Sequence, residues 1–238
     1  MKGVDQLSTI YRHLGLLIVP AIGWYAAHQS RPTVMSLFCS QSPDRCQTQN
    51  VPIFDQVAIG SVGGNSDYWS FATQYLAGVL ALVVPLAWNI YRREKGWRIL
   101  IDTLSDWSVA IQTTLWNGIA METTRLLVQR PRPFVYQDPL AMGLNPAHYT
   151  SFYSGHTSFA AAAGMTTVLF LVNRSAPRPW IVGFWIIAFT VTLLTGILRV
   201  AAGRHFPSDV VAGALAGILV AWLVRSLHES VPNQLSWK

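Results

Sequence analysis

Six apolar runs divide this sequence, and polar or basic residues separate them. The runs lie near residues 14–27, 68–91, 99–127, 157–172, 180–198 and 209–227. Most of them approach the ~20 residues that an α-helix needs to cross the hydrocarbon core of a bilayer. The pattern predicts an all-α integral membrane protein with six transmembrane helices.

The composition agrees with a membrane protein. Apolar residues make up 51% of the chain and charged residues only 12%. This composition is too apolar for a typical soluble domain. The sequence shows no internal repeat and no low-complexity tract, so we expect residues 1–238 to form a single transmembrane domain. We interpret the first apolar run as a retained helix and not as a cleaved signal peptide. Residues 28–67 form the only long loop between predicted helices.

The basic residues predict the orientation of the helices. If the amino terminus is cytoplasmic, ten basic residues lie on the inner side, whereas Arg31, Arg45 and five arginines near the polar segments described below lie on the outer side. Basic loops favour the cytoplasm, so we expect both termini there, residues 28–67 outside, and a bacterial inner membrane as the location. Inner loops that face anionic lipid then explain the formal charge of +6, and no nucleic-acid partner is expected.

The sequence contains two cysteines, Cys39 and Cys46, and both lie in the predicted outer loop. An oxidising compartment favours a disulfide between them. Two free thiols are the alternative. A metal site is less favoured, because His28 is the only histidine near them in sequence and cannot complete a tetrahedral ligand set.

Three short polar segments lie at the ends of apolar runs, and the predicted topology brings all three to the outer face. They are residues 125–133 (RLLVQRPRP), 153–156 (YSGH) and 199–209 (RVAAGRHFPSD). Pro131 and Pro133 end the third predicted helix. Ser154 or Thr157 caps the fourth helix, whose free N–H groups form an anion site, and Pro207 begins the sixth.

The residue types in these segments suit phosphoryl transfer through a histidine. Asp209 follows His205 by about one helical turn, so we expect its carboxylate to accept a hydrogen bond from one ring nitrogen and leave the other free to attack. Arg130 and Arg204 lie between the key positions, and we interpret them as interfacial anchors. Glu122 precedes Arg125 by three residues and could pair with it.

The remaining acidic residues predict little further chemistry. Those of the outer face other than Asp209 are scattered, so we expect no metal and no cofactor. Asp102 and Asp106 lie near the inner end of the third predicted helix. A proton relay is one interpretation of this pair, but pairing with Arg98 or contact with water is favoured, because the phosphate chemistry is expected at the opposite end.

The three segments resemble the motifs of the type 2 phosphatidic acid phosphatase family of membrane lipid phosphatases, whose core is similar to that of vanadium haloperoxidases and glucose-6-phosphatase. The family pattern is Lys-x6-Arg-Pro, then Pro-Ser-Gly-His, then Ser-Arg-x5-His-x3-Asp. Here Arg125, Tyr153 and Leu198 replace the family lysine, proline and serine. Arginine keeps the positive charge but exchanges a compact ammonium for a planar fork.

The resemblance implies a role for each matching residue. His205 would be the nucleophile that forms a phosphohistidine, Asp209 its orienting partner, and His156 the acid that protonates the leaving oxygen. The phosphoryl oxygens would be bound by Arg125, Arg132, Arg199, Ser154 and the backbone N–H of Gly155.

We therefore expect a phosphatase that acts on a lipid phosphomonoester or pyrophosphate at the periplasmic face. Phosphatidate, phosphatidylglycerol phosphate, undecaprenyl pyrophosphate and the phosphates of lipid A all fit, and the sequence does not choose among them. A lipid-to-lipid phosphotransferase and a non-enzymatic membrane carrier are the alternatives. A haloperoxidase is disfavoured because those relatives are soluble. The oligomeric state is left open.

The basic-residue pattern yields a topological prediction. After reduction of intact cells, an impermeant thiol reagent should label Cys39 and Cys46, because both are expected outside the membrane. Mass spectrometry of the purified protein measures the labelling. Labelling that occurs only in inverted membrane vesicles would contradict the orientation.

Overall fold

The computed structural model describes residues 17–61, 63–92 and 96–229, apart from the side chain of Glu229. These residues are helical and contain no strand. Helix α1 covers residues 17–29. The other α-helices are α2 (Arg31–Val34), α3 (Phe38–Gln41), α4 (Ser66–Tyr91), α5 (Trp97–Val128), α6 (Pro139–Met142), α7 (Gly155–Asn173), α8 (Arg178–Ala201) and α9 (Pro207–Glu229). Short 3-10 helices cover Pro43–Cys46, Thr48–Asn50, Gln56–Ala58, Pro133–Tyr136 and Pro146–Tyr149.

Among the described residues, four helices are long and apolar enough to cross a membrane, namely α4, α7, α8 and α9. These four coincide with the second, fourth, fifth and sixth predicted spans. The first predicted span begins in residues 14–16, which lie outside the described residues. The same holds for Lys2, Arg12, Arg93, Lys95 and Lys238, on which part of the predicted orientation depends. Six spans and their orientation therefore stay predictions.

Helix α5 is long enough to span a bilayer, at 32 residues, but is more polar than the other four helices. Several of its polar side chains are buried in the protein interior. The Asn117 amide donates to Ser158 Oγ at 3.1 Å, and Gln112, which is fully buried, lies 2.9 Å from the ring of His228. Helix α5 thus buries polar groups in contacts with α7 and α9, which lowers its mean hydropathy without exposing those groups to lipid.

Helix α7 is the centre of the helical bundle. It packs against α4, α5, α8 and α9, and 67% of its most apolar stretch is buried, compared with 22% or less in the other three apolar helices. The sequence of α7 explains this position, because Ala160, Ala161, Ala162 and Ala163 let neighbouring backbones approach closely.

Two glycines bring α9 into close contact with α7. A Cβ atom at Gly213 would lie 2.6 Å from the carbonyl oxygen of Ser154, and one at Gly217 would lie 2.1 Å from that of Ser158. Both oxygens belong to backbone, which cannot rotate away as a side chain can. Small residues four apart therefore hold α9 against α7, a packing typical of membrane helices.

The residues between α1 and α4 pack over the helix ends that carry the three polar segments. Cys39 and Cys46 are joined by a disulfide with a Cα–Cα distance of 5.5 Å, and both are fully buried against Val135 and Tyr149. The Tyr149 hydroxyl donates to the carbonyl of Gly143 at 2.9 Å and accepts from the Cys39 amide at 3.0 Å. These contacts join the disulfide segment to the connection between α5 and α7.

Asp106 lies at the opposite end of the bundle and is paired with an arginine. Arg174 Nη2 donates to both carboxylate oxygens of Asp106, at 2.9 and 2.8 Å, and the Asn89 amide contacts Oδ2 at 3.3 Å. The sequence had suggested Arg98 as the partner. Arg174 takes that place because it follows directly after α7, which packs on α5.

The α7–α9 contact yields a prediction of stability. Gly217→Ala should lower the thermal unfolding midpoint in detergent, because overpacking a tight contact costs roughly 1 to 3 kcal/mol. Circular dichroism measures the unfolding. Gly183→Ala in α8 is the matched control, since a Cβ there would meet nothing within 4 Å; it should leave the midpoint unchanged or raise it. Equal effects of the two substitutions would contradict the close contact.

Candidate active site

The ends of five helices meet where the three polar segments come together. Helix α5 ends at Val128, and its C-cap Gln129 is left-handed, with φ of 48°. Ser154 is the N-cap of α7 and its hydroxyl accepts from the Thr157 amide, so of the two caps that the sequence proposed, Ser154 takes this position. Helix α9 begins at Pro207, also as predicted. Helix α8 brings Arg199 to the same end, and α4 begins there beside Asp67.

Arg125, Arg132 and Arg199 come together at this end of the bundle. Arg125 and Arg199 are buried, and Arg132 is half-buried. Each guanidinium has an Nε that is buried and has no hydrogen-bond partner among the described residues. Because an N–H group without a partner is costly to bury, the three Nε groups indicate a place for an anion.

Arg132 has the strongest electrostatic need for an anion. Its Nη2 donates to Thr150 Oγ1 at 3.1 Å, and no carboxylate among the described residues pairs with it. Burial, and then the positive charges of neighbouring arginines, lower the pKa of Arg132 to about 9. The neighbours that act on it are Arg125, Arg199, Arg204 and Arg31. A bound anion would relieve this repulsion.

Two acidic residues hold the other two arginines in place. Glu122 is fully buried; its Oε1 lies 3.4 Å from Arg125 Nη1, and its carboxylate also accepts two hydrogen bonds from Arg31. Asp67 accepts from Arg199 and lies 3.0 Å from Arg204 Nη2. The pairing of Glu122 with Arg125 was predicted, whereas the contributions of Arg31 and Asp67, both far away in the sequence, were not.

Gly155 lets the start of α7 approach Arg125. A Cβ atom at this position would lie 2.4 Å from Met121 Sδ and 3.0 Å from Arg125 Nη2. Arg125 Nη2 also donates to the Tyr153 carbonyl at 3.3 Å. The backbone N–H groups at the start of α7 therefore lie beside the guanidinium of Arg125, as expected for a shared anion site. The hydroxyl of Tyr153, the residue that replaces the family proline, is buried and unpartnered within the described chain.

His205 has one bonded and one unbonded ring nitrogen. Its Nδ1–H donates to the carbonyl of Ser151 at 2.7 Å, and its Nε2 is buried without a partner among the described residues. Burial, opposed in part by Asp209, lowers the pKa of His205 to about 3. The imidazole is therefore neutral at pH 7, with its lone pair on Nε2.

The contact between His205 and Asp209 differs from the expected one. Asp209 Oδ2 lies 3.8 Å from His205 Nδ1, beyond hydrogen-bond distance, because Nδ1 donates to the Ser151 carbonyl instead. Asp209 Oδ2 accepts from Ser151 Oγ at 2.5 Å and from the Phe206 amide at 2.9 Å. Asp209 thus holds Ser151, and the Ser151 carbonyl in turn holds His205. Asp209 also acts on His205 directly through its negative charge.

His156 lies in the first turn of α7, and its Nε2 is the second buried imidazole nitrogen without a partner among the described residues. The edge of the ring packs on Phe71 of α4, with ring centroids 4.3 Å apart. Arg199, His205, Arg125 and Arg132 are near enough to act on it electrostatically. Both predicted catalytic histidines and all three predicted phosphate-binding arginines are therefore gathered in one place.

The sequence suggested that Arg130 is an interfacial anchor, but the structure shows that it is part of this site. Its Nη1 donates to Asp209 Oδ1 at 2.7 Å and its Nη2 to Asp55 Oδ2 at 2.8 Å. The anchor interpretation fails because two buried carboxylates draw the side chain inward. Arg204 likewise pairs with Asp67. No sequence signal marks Asp55 or Asp67 as partners, since each lies more than 70 residues from Arg130 or Arg199 along the chain.

Comparison with known proteins identifies the class. Residues 107–231 match the model of the PAP2 superfamily, and these residues make up more than half of the chain. The chain belongs to the PAP2 superfamily, and the resemblance of its motifs to type 2 phosphatidic acid phosphatases is confirmed.

Curated relatives match parts of the chain. An undecaprenyl-diphosphatase of Sulfolobus acidocaldarius is 23% identical over 184 residues, which cover 77% of this chain and 80% of that protein. Phosphatidylglycerophosphatase B of Bacillus subtilis is 35% identical over 49% of this chain and 60% of its own length. A lipid A 1-phosphatase of Porphyromonas gingivalis is 40% identical over 73 residues, which span only 15% of that relative.

One solved structure also matches, the transmembrane PAP2-type phosphatidylglycerolphosphate phosphatase of Bacillus subtilis. It is 20% identical, with a TM-score of 0.48, and the alignment covers 94% of this chain and 99% of that one.

The site yields a prediction of anion binding. Saturating inorganic phosphate should raise the thermal unfolding midpoint by roughly 5 °C. Arg132→Gln should abolish most of this shift. It should not lower the midpoint of the phosphate-free protein, because it removes one of several positive charges that repel one another. Differential scanning fluorimetry in detergent measures both values.

Arg45→Gln is the matched control for Arg132→Gln. Arg45 is exposed, with its guanidinium 5.2 Å from the ring centroid of Phe38, and its loss should leave the phosphate shift intact. A phosphate shift that survives Arg132→Gln would contradict the assignment of the site.

Proposed function

We propose that this protein is a membrane lipid phosphatase that acts at the periplasmic face through a phosphohistidine. One observation carries the proposal. Five predicted site residues each place a buried nitrogen without a described partner in one cluster of positive charge, which is the arrangement that a phosphoryl group would complete. These nitrogens are the Nε atoms of Arg125, Arg132 and Arg199 and the Nε2 atoms of His156 and His205.

The arginines would bind the nonbridging oxygens of the phosphoryl group. Negative charge on these oxygens is distributed among fixed donors as the transition state forms, and donors that are already oriented lower the barrier. The backbone N–H of Gly155 and the start of α7 would supply further donors. Arg125 in place of the family lysine offers a planar fork, which favours two parallel bonds to one phosphate.

In the first step, His205 Nε2 would attack phosphorus while the bond from phosphorus to the lipid oxygen breaks. His156 would donate a proton to that leaving oxygen, so the lipid departs as an alcohol, or as a monophosphate if the substrate is a pyrophosphate. Neutral His205 is suited to the attack because burial keeps its pKa at about 3. The Ser151 carbonyl accepts from Nδ1, which keeps the lone pair on Nε2.

In the second step, His156, now neutral, would take a proton from water as the water attacks the phosphohistidine. The bond from phosphorus to Nε2 breaks and inorganic phosphate is released, which returns both histidines to their starting protonation states. Asp209 would stabilise the positive ring of His205 in the intermediate from its distance of 3.8 Å.

No metal ion is required in this mechanism. The described residues contain no group of three or more histidine, cysteine, aspartate or glutamate side chains placed to hold a metal, and the carboxylates at the site are paired with arginines. The arginines would provide the charge that metal ions provide in many other phosphatases.

The location of the site supports a lipid substrate. The site lies at the ends of helices that are apolar enough to span a bilayer, where the headgroup of a lipid reaches water while its chains remain in hydrocarbon. The named activities of the relatives, on undecaprenyl diphosphate, phosphatidylglycerophosphate and lipid A, share this chemistry. We propose a substrate from this class, with both termini of the chain in the cytoplasm.

A test of the function separates the two histidines. In the presence of a chelator, purified protein should release phosphate from a panel of lipid phosphates and from nitrophenyl phosphate. His205→Ala should lose both activities and the trapped phosphoenzyme, because the nucleophile is removed. His156→Ala should lose lipid hydrolysis by roughly 100-fold or more, yet retain phosphoenzyme formation from nitrophenyl phosphate, whose leaving group needs no proton.

His148→Ala is the matched control. His148 lies on the same side of the protein and is half-buried, and its Nδ1 is 2.7 Å from the Met142 carbonyl; its loss should leave activity unchanged. Radiolabelled phosphate trapped on His205→Ala as readily as on wild type would contradict the assignment of the nucleophile.

A further inference from the structure

Arg130 joins two buried carboxylates that come from distant parts of the chain. Its Nη1 donates to Asp209 Oδ1 at 2.7 Å and to Ser208 Oγ at 2.6 Å, while its Nη2 donates to Asp55 Oδ2 at 2.8 Å. The guanidinium also stacks over the ring of Phe206, 4.0 Å from its centroid. Each of these contacts restricts a different direction of movement, so the guanidinium is held in a single orientation.

Asp55 caps the start of α9 although it lies about 150 residues earlier in the chain. Its Oδ1 accepts from the backbone N–H of Ser208 at 2.9 Å, and its Oδ2 accepts from the Ser208 hydroxyl at 2.6 Å. Asp209 Oδ2 satisfies the amide of Phe206, the residue before the helix. The two carboxylates therefore satisfy two of the N–H groups that a helix leaves without internal partners.

The segment that carries Asp55 is packed in place by apolar contacts. Val51 and Ala58 lie on either side of Asp55 in the sequence and form a buried cluster with Phe206. Asp55 itself is fully buried. The residues between α1 and α4 thus contribute a charged side chain to the active site as well as covering it.

A chain of contacts leads from Asp55 to the histidine that would attack. Arg130 connects Asp55 to Asp209, Asp209 accepts from the Ser151 hydroxyl at 2.5 Å, and the Ser151 carbonyl accepts from His205 Nδ1 at 2.7 Å. If Asp209 rotated, Ser151 and the ring of His205 would lose their fixed positions. Reaction rates depend steeply on such positions, because the attacking atom must approach phosphorus in line.

We propose that Asp55 and Arg130 are positioning residues for the nucleophile. The proposal rests on the proposed function, because it assumes that His205 attacks phosphorus. Neither side chain touches the substrate. Arg130 holds Asp209 at Oδ1, and Asp55 holds Arg130 and the neighbouring Ser208. Asp209 can then hold Ser151, which keeps the His205 ring with Nε2 directed at the phosphoryl group. The loss of either one leaves a buried charge without its partner, which would move to find another.

The test uses four variants and nitrophenyl phosphate. Arg130→Gln removes the charge, Arg130→Lys keeps the charge but cannot reach two carboxylates with a fork, and Asp55→Asn removes the second carboxylate. The fourth variant combines Asp55→Asn with Arg130→Gln. Each should lower kcat and the rate of phosphoenzyme formation by roughly 10- to 100-fold, the range typical of residues that orient a reacting group.

KM and the phosphate-induced shift of the unfolding midpoint should change by less than about twofold in these variants, because the three phosphate-binding arginines are untouched. The double variant should be no slower than the slower single variant, as expected for residues that act through one shared contact. In one additional variant, Arg130→Ala, millimolar guanidinium should restore part of the rate, and it should have no effect on wild type.

Asp44→Asn and Arg45→Gln are the matched controls, since they remove the same charges from an exposed part of the same segment. Both should retain wild-type kcat. If Arg130→Gln fails to fold, as judged by circular dichroism, Asp55→Asn decides the question, because it preserves the bond from Arg130 to Asp209.

An unchanged kcat in folded Asp55→Asn or Arg130→Lys would overturn the positioning role while leaving the proposed phosphatase intact. A rise in KM at constant kcat would also overturn it, because that result assigns the pair to substrate binding. A wild-type protein that forms no phosphoenzyme would overturn both proposals.

Discussion

Repulsion among neighbouring arginines is the constraint on which the rest of this structure depends. Arg125, Arg132 and Arg199 are held at one end of the helical bundle, and only Arg125 and Arg199 have a carboxylate partner among the described residues. Buried like charges are costly unless an opposite charge is supplied. The fold supplies part of that charge through Glu122 and Asp67 and leaves Arg132 without any, which suits a site that binds a phosphoryl group reversibly.

The carboxylates around the site divide into two groups by what they hold. Glu122 and Asp67 orient guanidinium groups that would bind phosphate, whereas Asp209 and Asp55 orient the histidine that would attack it. Arg31 and Asp55 both come from the residues between α1 and α4. That segment is cross-linked by its disulfide and packs on Tyr149. It therefore belongs to the site and is not simply a connection between helices.

Local features of the sequence were sufficient to predict where α7 and α9 begin. Pro207 and Ser154 begin helices because their backbone and side-chain chemistry suits these positions, and this is independent of the rest of the fold. The predicted topology placed His156, His205 and the three arginines at one face. Residues 99–127 were predicted to be an apolar span, and α5 covers them but is more polar than the other long helices. Burial against α7 and α9 accommodates polar groups that contact with lipid would not.

The contacts of Arg130 and Asp209 could not be predicted in the same way. Arg130 pairs with Asp55 across 75 residues of chain, and no local pattern encodes such a contact. The expected hydrogen bond from His205 to Asp209 is replaced by one from His205 to the Ser151 carbonyl, because this closer backbone oxygen accepts the same Nδ1–H. Residue spacing predicts which side chains lie in the same region. Which of the nearby acceptors takes a given hydrogen bond depends on tertiary packing.

The central claim is that nitrogens of five residues, which have no partner in the described part of the chain, converge on one phosphoryl group. A crystal or cryo-EM structure with bound orthovanadate tests it most directly, because vanadate adopts the five-coordinate geometry of the transition state. Vanadium should bond to His205 Nε2, with its oxygens within hydrogen-bond distance of Arg125, Arg132, Arg199 and His156. Vanadate bound elsewhere, or bound here with His205 Nε2 directed away from it, would contradict the account.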